Sequence, residues 1–195
     1  MQYTRPKNDM LKIILFLACA RLILTMCDSK NTIINHGKHL CCFNDSGKVP
    51  MIGIGYNLLL KDSEKVMLKY NLKLSEVLSD CQAKRRKYCL TNRQAEDIFY
   101  TVSYPKASRC ADAFVSNLPP IKRNAIIDVA FTSCRVLNTF KRMQKALEAK
   151  NWTRAAHELK SSKWCTQVKQ TRCGKNYNCI RNDVSYLNLL SFYLY

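Results

Sequence analysis

The sequence predicts an α+β protein that is mainly α-helical, with a small β-hairpin lobe, a larger helical lobe and a cleft between the two. The apolar run MIGIGY over residues 51–56 follows a turn cluster at 44–47, a pattern typical of a short hairpin. From Asp62 onward, apolar residues recur at helical spacing. With only five glycines and five prolines, the chain is not of a fibrous or disordered class.

The helical lobe is predicted from caps and apolar spacing. Thr91 and Gln94 form a capping box that opens a helix through Phe99 and beyond, and Pro105 is expected to kink or end it. Asn151 is a cap-like residue before another helix. The remaining helices are expected over residues 28–39 (weakly helical), 63–70, 73–78, 121–131, 140–147 and 155–159.

The N-terminus has the pattern of a cleaved secretion signal. Three basic residues precede an apolar run over residues 13–20, and Arg21 interrupts this stretch before it reaches the roughly 20 residues of a membrane-spanning helix. We therefore expect a secreted protein without a stable membrane anchor. The predicted segments are a signal peptide over 1–27, one domain over 28–183 and an apolar tail over 184–195.

The cysteine content predicts disulfide bonds formed in an oxidising compartment. Of the 11 cysteines, Cys19 and Cys27 fall within the predicted leader. The odd number that remains leaves two alternatives: one thiol is free, or Cys27 stays and pairs. Cys41 and Cys42 are not expected to bond to each other, because a disulfide needs Cα atoms about 5.5–6 Å apart. The disulfide candidates are Cys41, Cys42, Cys81, Cys89, Cys110, Cys134, Cys165, Cys173 and Cys179.

The charge predicts anionic partners. The formal net charge is +18, and removal of residues 1–27, which carry four basic side chains and one acidic, leaves +15. For a secreted protein the expected partners are bacterial cell-wall polymers, other anionic polysaccharides or anionic lipids. The alternative is a charge excess that only keeps the protein soluble. The sequence has no zinc-finger, RNP or basic-zipper pattern, so we expect no nucleic-acid partner, and we expect a monomer.

The segment NHGKHLCCFNDSGKVPMIGIGYNL, residues 35–58, resembles the signature of the phage-type lysozymes, glycoside hydrolase family twenty-four. That family has a Glu-Gly pair on its first helix, an Asp in the following turn and then a Thr-Ile-Gly-Ile-Gly strand. Later segments follow the family's order: AIIDVAF at 125–131, SKW at 162–164 and the pair Arg172-Cys173. The resemblance covers about residues 30–180. It implies a lysozyme-like fold and hydrolysis of the peptidoglycan strand in antibacterial defence or digestion.

The resemblance also implies the site residues. An inverting glycosidase needs an acid that protonates the leaving oxygen and a carboxylate that activates water, about 6.5–9.5 Å apart. In the family these are a helix glutamate and a turn aspartate, and a strand threonine holds the water. Asp45 matches the aspartate, but His36 replaces the glutamate and Met51 replaces the threonine. Arg172 matches a substrate-binding arginine of the cleft that pairs with the glutamate.

The two replacements predict impaired hydrolysis. A histidine can donate a proton near pH 6.5, but its cation would repel the positive charge that develops on the sugar. The thioether of Met51 cannot hold water as a hydroxyl does. Loss of a positioned general acid costs about 10²–10⁴ in rate. If Arg172 faces His36, it lowers the proton affinity of that histidine. The chain is therefore either a weakened lysozyme or a catalytically inactive binding protein for peptidoglycan or other anionic surface polymers.

Other features of this segment have structural alternatives. Asp45 lies in an Asn-Asp-Ser-Gly cluster and is equally a turn former. Asn44 and Asn151 begin glycosylation sequons, and a glycan on Asn44 would crowd the cleft. Two histidines and two cysteines within residues 36–42 have the composition of a metal site, but in an oxidising compartment such cysteines form disulfides. We predict no metal and no cofactor.

Overall fold

The computed structural model describes residues 27–182, so the apolar tail and all but the last residue of the predicted signal peptide lie outside the described residues. Within this range the chain is mainly α-helical with one small antiparallel sheet, which confirms the predicted α+β class. The strands are β1 (His39–Asn44), β2 (Pro50–Gly53) and β3 (Tyr56–Asn57). The helices are α1 (Ser29–His36), α2 (Ser63–Leu68), α3 (Leu74–Gln82), α4 (Asn92–Ile98), a π-helical segment (Phe99–Ser103), α5 (Tyr104–Phe114), α6 (Pro120–Thr132), α7 (Cys134–Leu137), α8 (Lys141–Glu148), α9 (Trp152–Lys160), α10 (Lys163–Gln167) and α11 (Gln170–Arg181).

The sheet has the order β1-β2-β3, with both pairs antiparallel. Phe43 pairs with Met51 across the β1–β2 hairpin, and Met51 pairs with Asn57 on the other side. The register shifts between His39 and Phe43, which marks a bulge in β1. The sequence predicts one strand through residue 56. The structure ends β2 at Gly53 because Gly53 and Gly55 both have positive φ and turn the chain into β3.

Buried apolar residues form two separate clusters. The smaller cluster lies between the sheet and α2 to α4 and includes Ile52, Met67 and Val77. The larger cluster is built by α5 to α11 around the buried face of α6. Ile98 belongs to the smaller cluster and Ala107 to the larger one, so the helical path from α4 to α5 connects them.

The chain remains helical through Pro105, so of the two expected outcomes, a kink or an end of the helix, the end does not occur. Tyr104 N–H donates to Phe99 O across one wide π turn. Pro105 then occupies the first turn of α5, where a missing amide donor costs little. The predicted capping box is confirmed, because Thr91 and Gln94 exchange backbone and side-chain hydrogen bonds. Asn151 is also confirmed as a cap and accepts from Arg154 N–H.

Five disulfides pair all ten cysteines of the described region. All nine candidates are bonded, and Cys27 is bonded to Cys179, which corresponds to the alternative in which Cys27 stays and pairs. A mature chain that keeps this bond therefore begins at or before Cys27. The pairs are Cys27–Cys179, Cys41–Cys89, Cys42–Cys81, Cys110–Cys134 and Cys165–Cys173. Such a disulfide density fits an oxidising compartment.

None of the helices between residues 27 and 182 is long and apolar enough to cross a membrane.

A buried lysine helps to fix α11, the helix that carries Arg172. Lys122 in α6 is 1% exposed, and its Nζ donates to Ile180 O at 2.8 Å and to Asn182 O at 2.6 Å. These are carbonyls at the end of α11, where a cation also interacts favourably with the helix dipole. The disulfide from Cys179 and this lysine therefore hold the same end of α11 against the larger apolar cluster.

Candidate active-site groove

A groove of about 330 Å³ lies where β3 and the loop after it approach α5 and the end of α6. We call it the Phe131 groove. Its lining combines aromatic and apolar surface with polar side chains that can form hydrogen bonds, a combination typical of ligand sites. The lining residues include Tyr56, Asn57, Asp62, Ser103, Lys106, Phe131 and Thr132.

His36 lies beside this groove, at the end of α1. The chain turns sharply after it, because Gly37 has a φ of 74° and its N–H donates to Ile33 O. The His36 ring packs on Phe131 with 4.5 Å between the ring centroids. A Cβ added to Gly55 would lie 3.3 Å from both His36 Nδ1 and Phe131. A glycine at position 55 therefore allows the β2–β3 turn to approach the imidazole closely.

Arg172 joins His36 to a buried carboxylate. Its Nη2 donates to His36 Nε2 at 2.8 Å, and its Nε donates to Asp128 Oδ2 at 2.8 Å. Nη2 also donates to Asp128 O and to Thr132 Oγ1. Asn176, one turn after Arg172 on α11, donates to Asp128 Oδ2 at 2.6 Å. Arg172 and Asp128 are 7% and 2% exposed, so this is a buried ion pair.

The surroundings of His36 keep its ring neutral. Burial of the ring is the largest cause and the charge of Arg172 the second, and together they lower the pKa of His36 from 6.5 to about 3, against the opposing charge of Asp128. Because the guanidinium has no acceptor, Nε2 must be the acceptor in their contact, which leaves the ring proton on Nδ1. At neutral pH His36 is therefore a hydrogen-bond acceptor toward Arg172 and cannot be a proton donor there.

Asp45 forms the turn of the β1–β2 hairpin and is exposed. Its Oδ1 accepts from the backbone N–H groups of Gly47 and Val49, both at 2.8 Å. This is the geometry of an aspartate turn, and Lys48 takes the positive φ of 60° that the turn requires. In the described part of the chain, no hydrogen bond or ion pair joins Asp45 to His36 or to Arg172.

The other residues predicted from sequence lie around the sheet. Met51 is partly exposed in the middle strand. Asn44, at the end of β1, and Asn151, at the start of α9, are both exposed. Cys41 and Cys42 are held in disulfides and so are not available as metal ligands. The structure therefore brings His36 and Arg172 into contact and places Asp45 and Met51 on the neighbouring hairpin.

Sequence reasoning missed Asp128 and Asn176. Asp128 interrupts the apolar stretch Ala125–Phe131 of a core helix, and a single acid on a buried helix face is a signal that a buried cation faces it. Asn176 follows Arg172 by four residues, so both lie on one face of a helix. Asp128 Oδ1 has no hydrogen-bond partner among the described residues.

A comparison with protein-family models found no match to this chain, and a comparison with curated proteins found none either.

Proposed function

We propose that the protein has a lysozyme-like fold and binds the glycan strand of peptidoglycan in the Phe131 groove without hydrolysing it. The observation that carries this proposal is the contact between Arg172 and a neutral His36 at the position that the resemblance assigns to the general acid. In this role the protein is secreted and acts by binding at bacterial surfaces.

The arrangement of the lobes supports a binding cleft. The Phe131 groove is lined by Tyr56 of the small apolar cluster and by Ala107 and Ala130 of the large one. A cleft between a small sheet lobe and a helical lobe is what the resemblance implies. The groove also offers polar groups, among them Asn57 and Lys106, beside the ring of Phe131. Sugars are bound by this combination of hydrogen bonds and ring faces.

The protonation state of His36 argues against hydrolysis. A group with a pKa of about 3 carries a proton in only about one molecule in 10⁴ at pH 7. Without a proton donor, the leaving oxygen of a glycosidic bond departs as an unstabilised anion. The resemblance also implies a threonine hydroxyl that holds the attacking water. Met51 occupies that position and has no hydroxyl.

A weakened lysozyme is the second candidate. It is favoured by one observation: only Oδ1 of the Asp45 carboxylate receives hydrogen bonds from the turn. The other oxygen forms no hydrogen bond with the described residues, so it can contact a water molecule or a sugar ring. If this candidate is correct, cleavage occurs without a general acid and is slow.

The test compares binding and cleavage of peptidoglycan that has been stripped of its anionic polymers. The wild-type protein is expected to sediment with these walls and to leave their turbidity unchanged. The variant His36→Glu, Met51→Thr restores a carboxylic acid and a hydroxyl and is expected to clear the walls at least about 10²-fold faster than the wild type. A matched control, His157→Glu with Leu68→Thr, introduces the same two residue types at exposed positions away from the groove and is expected to clear nothing.

Three results contradict the proposal. Clearing by the wild type at a rate near that of an intact phage-type lysozyme identifies an active enzyme. Absence of wild-type binding to the stripped walls removes the glycan as a ligand. A double variant with a native circular dichroism spectrum that clears no faster than its matched control shows that residues 36 and 51 are not the lost catalytic positions.

A further inference from the structure

Four consecutive cations follow α3 and are all exposed: Lys84, Arg85, Arg86 and Lys87. We call residues 84–87 the basic loop. We propose that the basic loop and the groove beside it along β1 form a binding site for an anionic polysaccharide. This site shares no lining residue with the Phe131 groove, and the inference does not depend on glycan binding there.

The basic loop is held in place by a buried carboxylate. Asp80 is 2% exposed, and its Oδ2 accepts from the backbone N–H groups of Lys87 at 2.6 Å and Tyr88 at 3.0 Å. Its Oδ1 accepts from Arg85 Nε at 3.0 Å. A loop fixed in this way loses little conformational entropy when it binds a ligand.

Two disulfides fix the same loop at both ends. Cys81, before the loop, is bonded to Cys42, and Cys89, after it, is bonded to Cys41. Both partners lie in β1, and Cys41 and Cys89 also pair as an isolated β-bridge. The backbone of the basic loop is therefore held at a fixed position relative to the sheet.

The cations of the loop are only partly used within the protein. Arg85 is paired with Asp80, and Lys87 Nζ lies 5.1 Å from the ring centroid of Tyr88. The side chains of Lys84 and Arg86 form no hydrogen bond or ion pair with any residue between 27 and 182. Their positive charges are therefore available to an anionic ligand from solution.

A groove of about 420 Å³ adjoins the loop at Arg86, and we call it the β1 groove. His39 and Phe43 of β1 line it, and their ring centroids are 4.2 Å apart. Lys38 also lines it but is paired with Glu96 at 2.6 Å. Among the described residues that line this groove, Arg86 is therefore the cation whose charge is not already paired.

This combination favours a charged sugar chain over other polyanions. An arginine forms paired hydrogen bonds with carboxylate, sulfate or phosphate groups, and aromatic rings pack against sugar rings. The flat surface of an anionic bilayer cannot enter a concave site of this size. Single-stranded nucleic acid also stacks on aromatic rings, so it is included as an outcome of the test.

The test measures the affinity of the full-length, oxidised protein for fluorescein-labelled dextran sulfate over a range of salt concentrations. The variant Lys84→Ala, Arg86→Ala, Lys87→Ala is expected to bind at least tenfold more weakly. The slope of log affinity against log salt concentration is expected to become shallower by about one for each cation that pairs with a sulfate group in the wild type. The matched control, Arg142→Ala, Lys145→Ala, Lys169→Ala, removes three exposed cations elsewhere and is expected to change the affinity less than threefold.

Further arms separate the alternatives. Phe43→Leu is expected to weaken dextran sulfate binding about threefold or more at unchanged salt dependence, because it removes a ring and no charge. Equal losses in the two triple variants would show a diffuse charge effect and overturn the proposal. Tighter binding of single-stranded DNA or of phosphatidylserine vesicles than of dextran sulfate at the same salt concentration would also overturn it. Binding of the triple variant to stripped peptidoglycan is expected to be unchanged, which separates this site from the Phe131 groove.

Discussion

His36 shows how burial and one neighbouring cation decide whether an imidazole carries a proton. Asp128 lies close enough to favour the charged ring, but its carboxylate is already used by Arg172 and Asn176. The guanidinium contacts the ring directly, so its repulsion is the stronger of the two charge effects. A glutamate at position 36 would instead gain an ion pair with the same Arg172.

The low pKa of His36 predicts a pH-dependent stability. The pKa is about 3 in the folded protein and near 6.5 in the unfolded chain, so the unfolded chain binds the proton first as the pH falls. Stability is therefore complete above about pH 6.5 and falls toward pH 3 by at most about 1.4 kcal/mol per pH unit. We expect the free energy of unfolding of the wild type, measured with urea, to decrease between about pH 6.5 and 4.5. The free energy of unfolding of His36→Gln is expected to decrease less over the same range.

The control for this prediction is His157→Gln, which changes an exposed histidine. Hydrogen bonds from Tyr70 and Lys69 lower the pKa of Asp97, and one from Arg123 lowers the pKa of Asp112. At Asp80, burial acts to raise the pKa, but the hydrogen bonds from its neighbours together lower it, so all three carboxyls titrate below the window. If His36→Gln loses stability in parallel with wild type from pH 6.5 to 4.5, the imidazole is not neutral in the native state.

At the scale of elements, three helices end in the same way without a glycine. Asn71, Lys84 and Lys150 follow α2, α3 and α8 and have φ values of 57°, 52° and 55°. After α8, Lys150 N–H donates to Leu147 O and Asn151 N–H donates to Ala146 O, the two bonds of a Schellman motif. Glycine is the usual residue at this position, because a side chain costs about 1 kcal/mol or more there.

The Schellman motif at Lys150 predicts a stabilising substitution. Lys150→Gly is expected to raise the free energy of unfolding by about 0.5–1 kcal/mol, because glycine adopts the positive φ without steric strain. Lys145→Gly, within α8, is expected to lower it by about 1 kcal/mol. Both changes remove one lysine, so urea unfolding of the two variants separates backbone strain from charge. A loss of stability in Lys150→Gly would contradict the assigned backbone conformation.

These helix ends also explain which elements can be predicted from sequence. Thr91 and Asn151 are side-chain caps, so the starts of α4 and α9 are visible in the sequence. The apolar spacing predicts that α3 ends at residue 78, but the helix continues to Gln82. The sequence does not show this end, because Lys84 rather than a glycine takes the positive φ after it. The π-helical segment is missed for a similar reason, since its only sequence signal, Pro105, is also the signal of a helix end.

The same limit applies to the candidate site. The contact of Arg172 with His36 is expected from sequence only through the resemblance, which assigns these two residues of separate segments to one cleft. The Arg172–Asp128 pair joins residues 44 positions apart on two helices, and no local pattern specifies which buried acid meets which cation. The hydrogen bonds by which Asp80 holds the basic loop could not be predicted from sequence either. The Asp80 carboxylate accepts from backbone N–H groups, which almost every residue has, so no residue type indicates its partners.

For the whole molecule, the disulfides stay within each lobe. Cys41–Cys89 and Cys42–Cys81 cross-link the small lobe, and the other three bonds cross-link the helical lobe. Among the described residues, none joins the two apolar clusters, which are connected instead by the helical path from α4 to α5. The bonds also differ greatly in the length of chain they close, from 8 residues for Cys165–Cys173 to 152 for Cys27–Cys179.

These loop lengths predict that removing different disulfides lowers the free energy of unfolding by different amounts. Because a longer closed loop restricts the unfolded chain more, replacing Cys27 and Cys179 by serine is expected to cost about 5 kcal/mol, and replacing Cys165 and Cys173 about 2.5 kcal/mol. Urea unfolding of the two double variants under oxidising conditions measures the difference. Equal losses, or a larger loss for the shorter loop, would show that native-state packing outweighs loop closure.

The closeness of Cys27 to Cys179 has a consequence for how the fold can be built. Their Cα atoms are 5.9 Å apart, so the two ends of the described region meet side by side. A linker of a few residues could join these ends, and new ends could be opened at an exposed turn such as Asn117. In such a circular permutant the same helices and strands would follow one another in a different order along the chain. Every contact around Arg172 and around the basic loop would be kept.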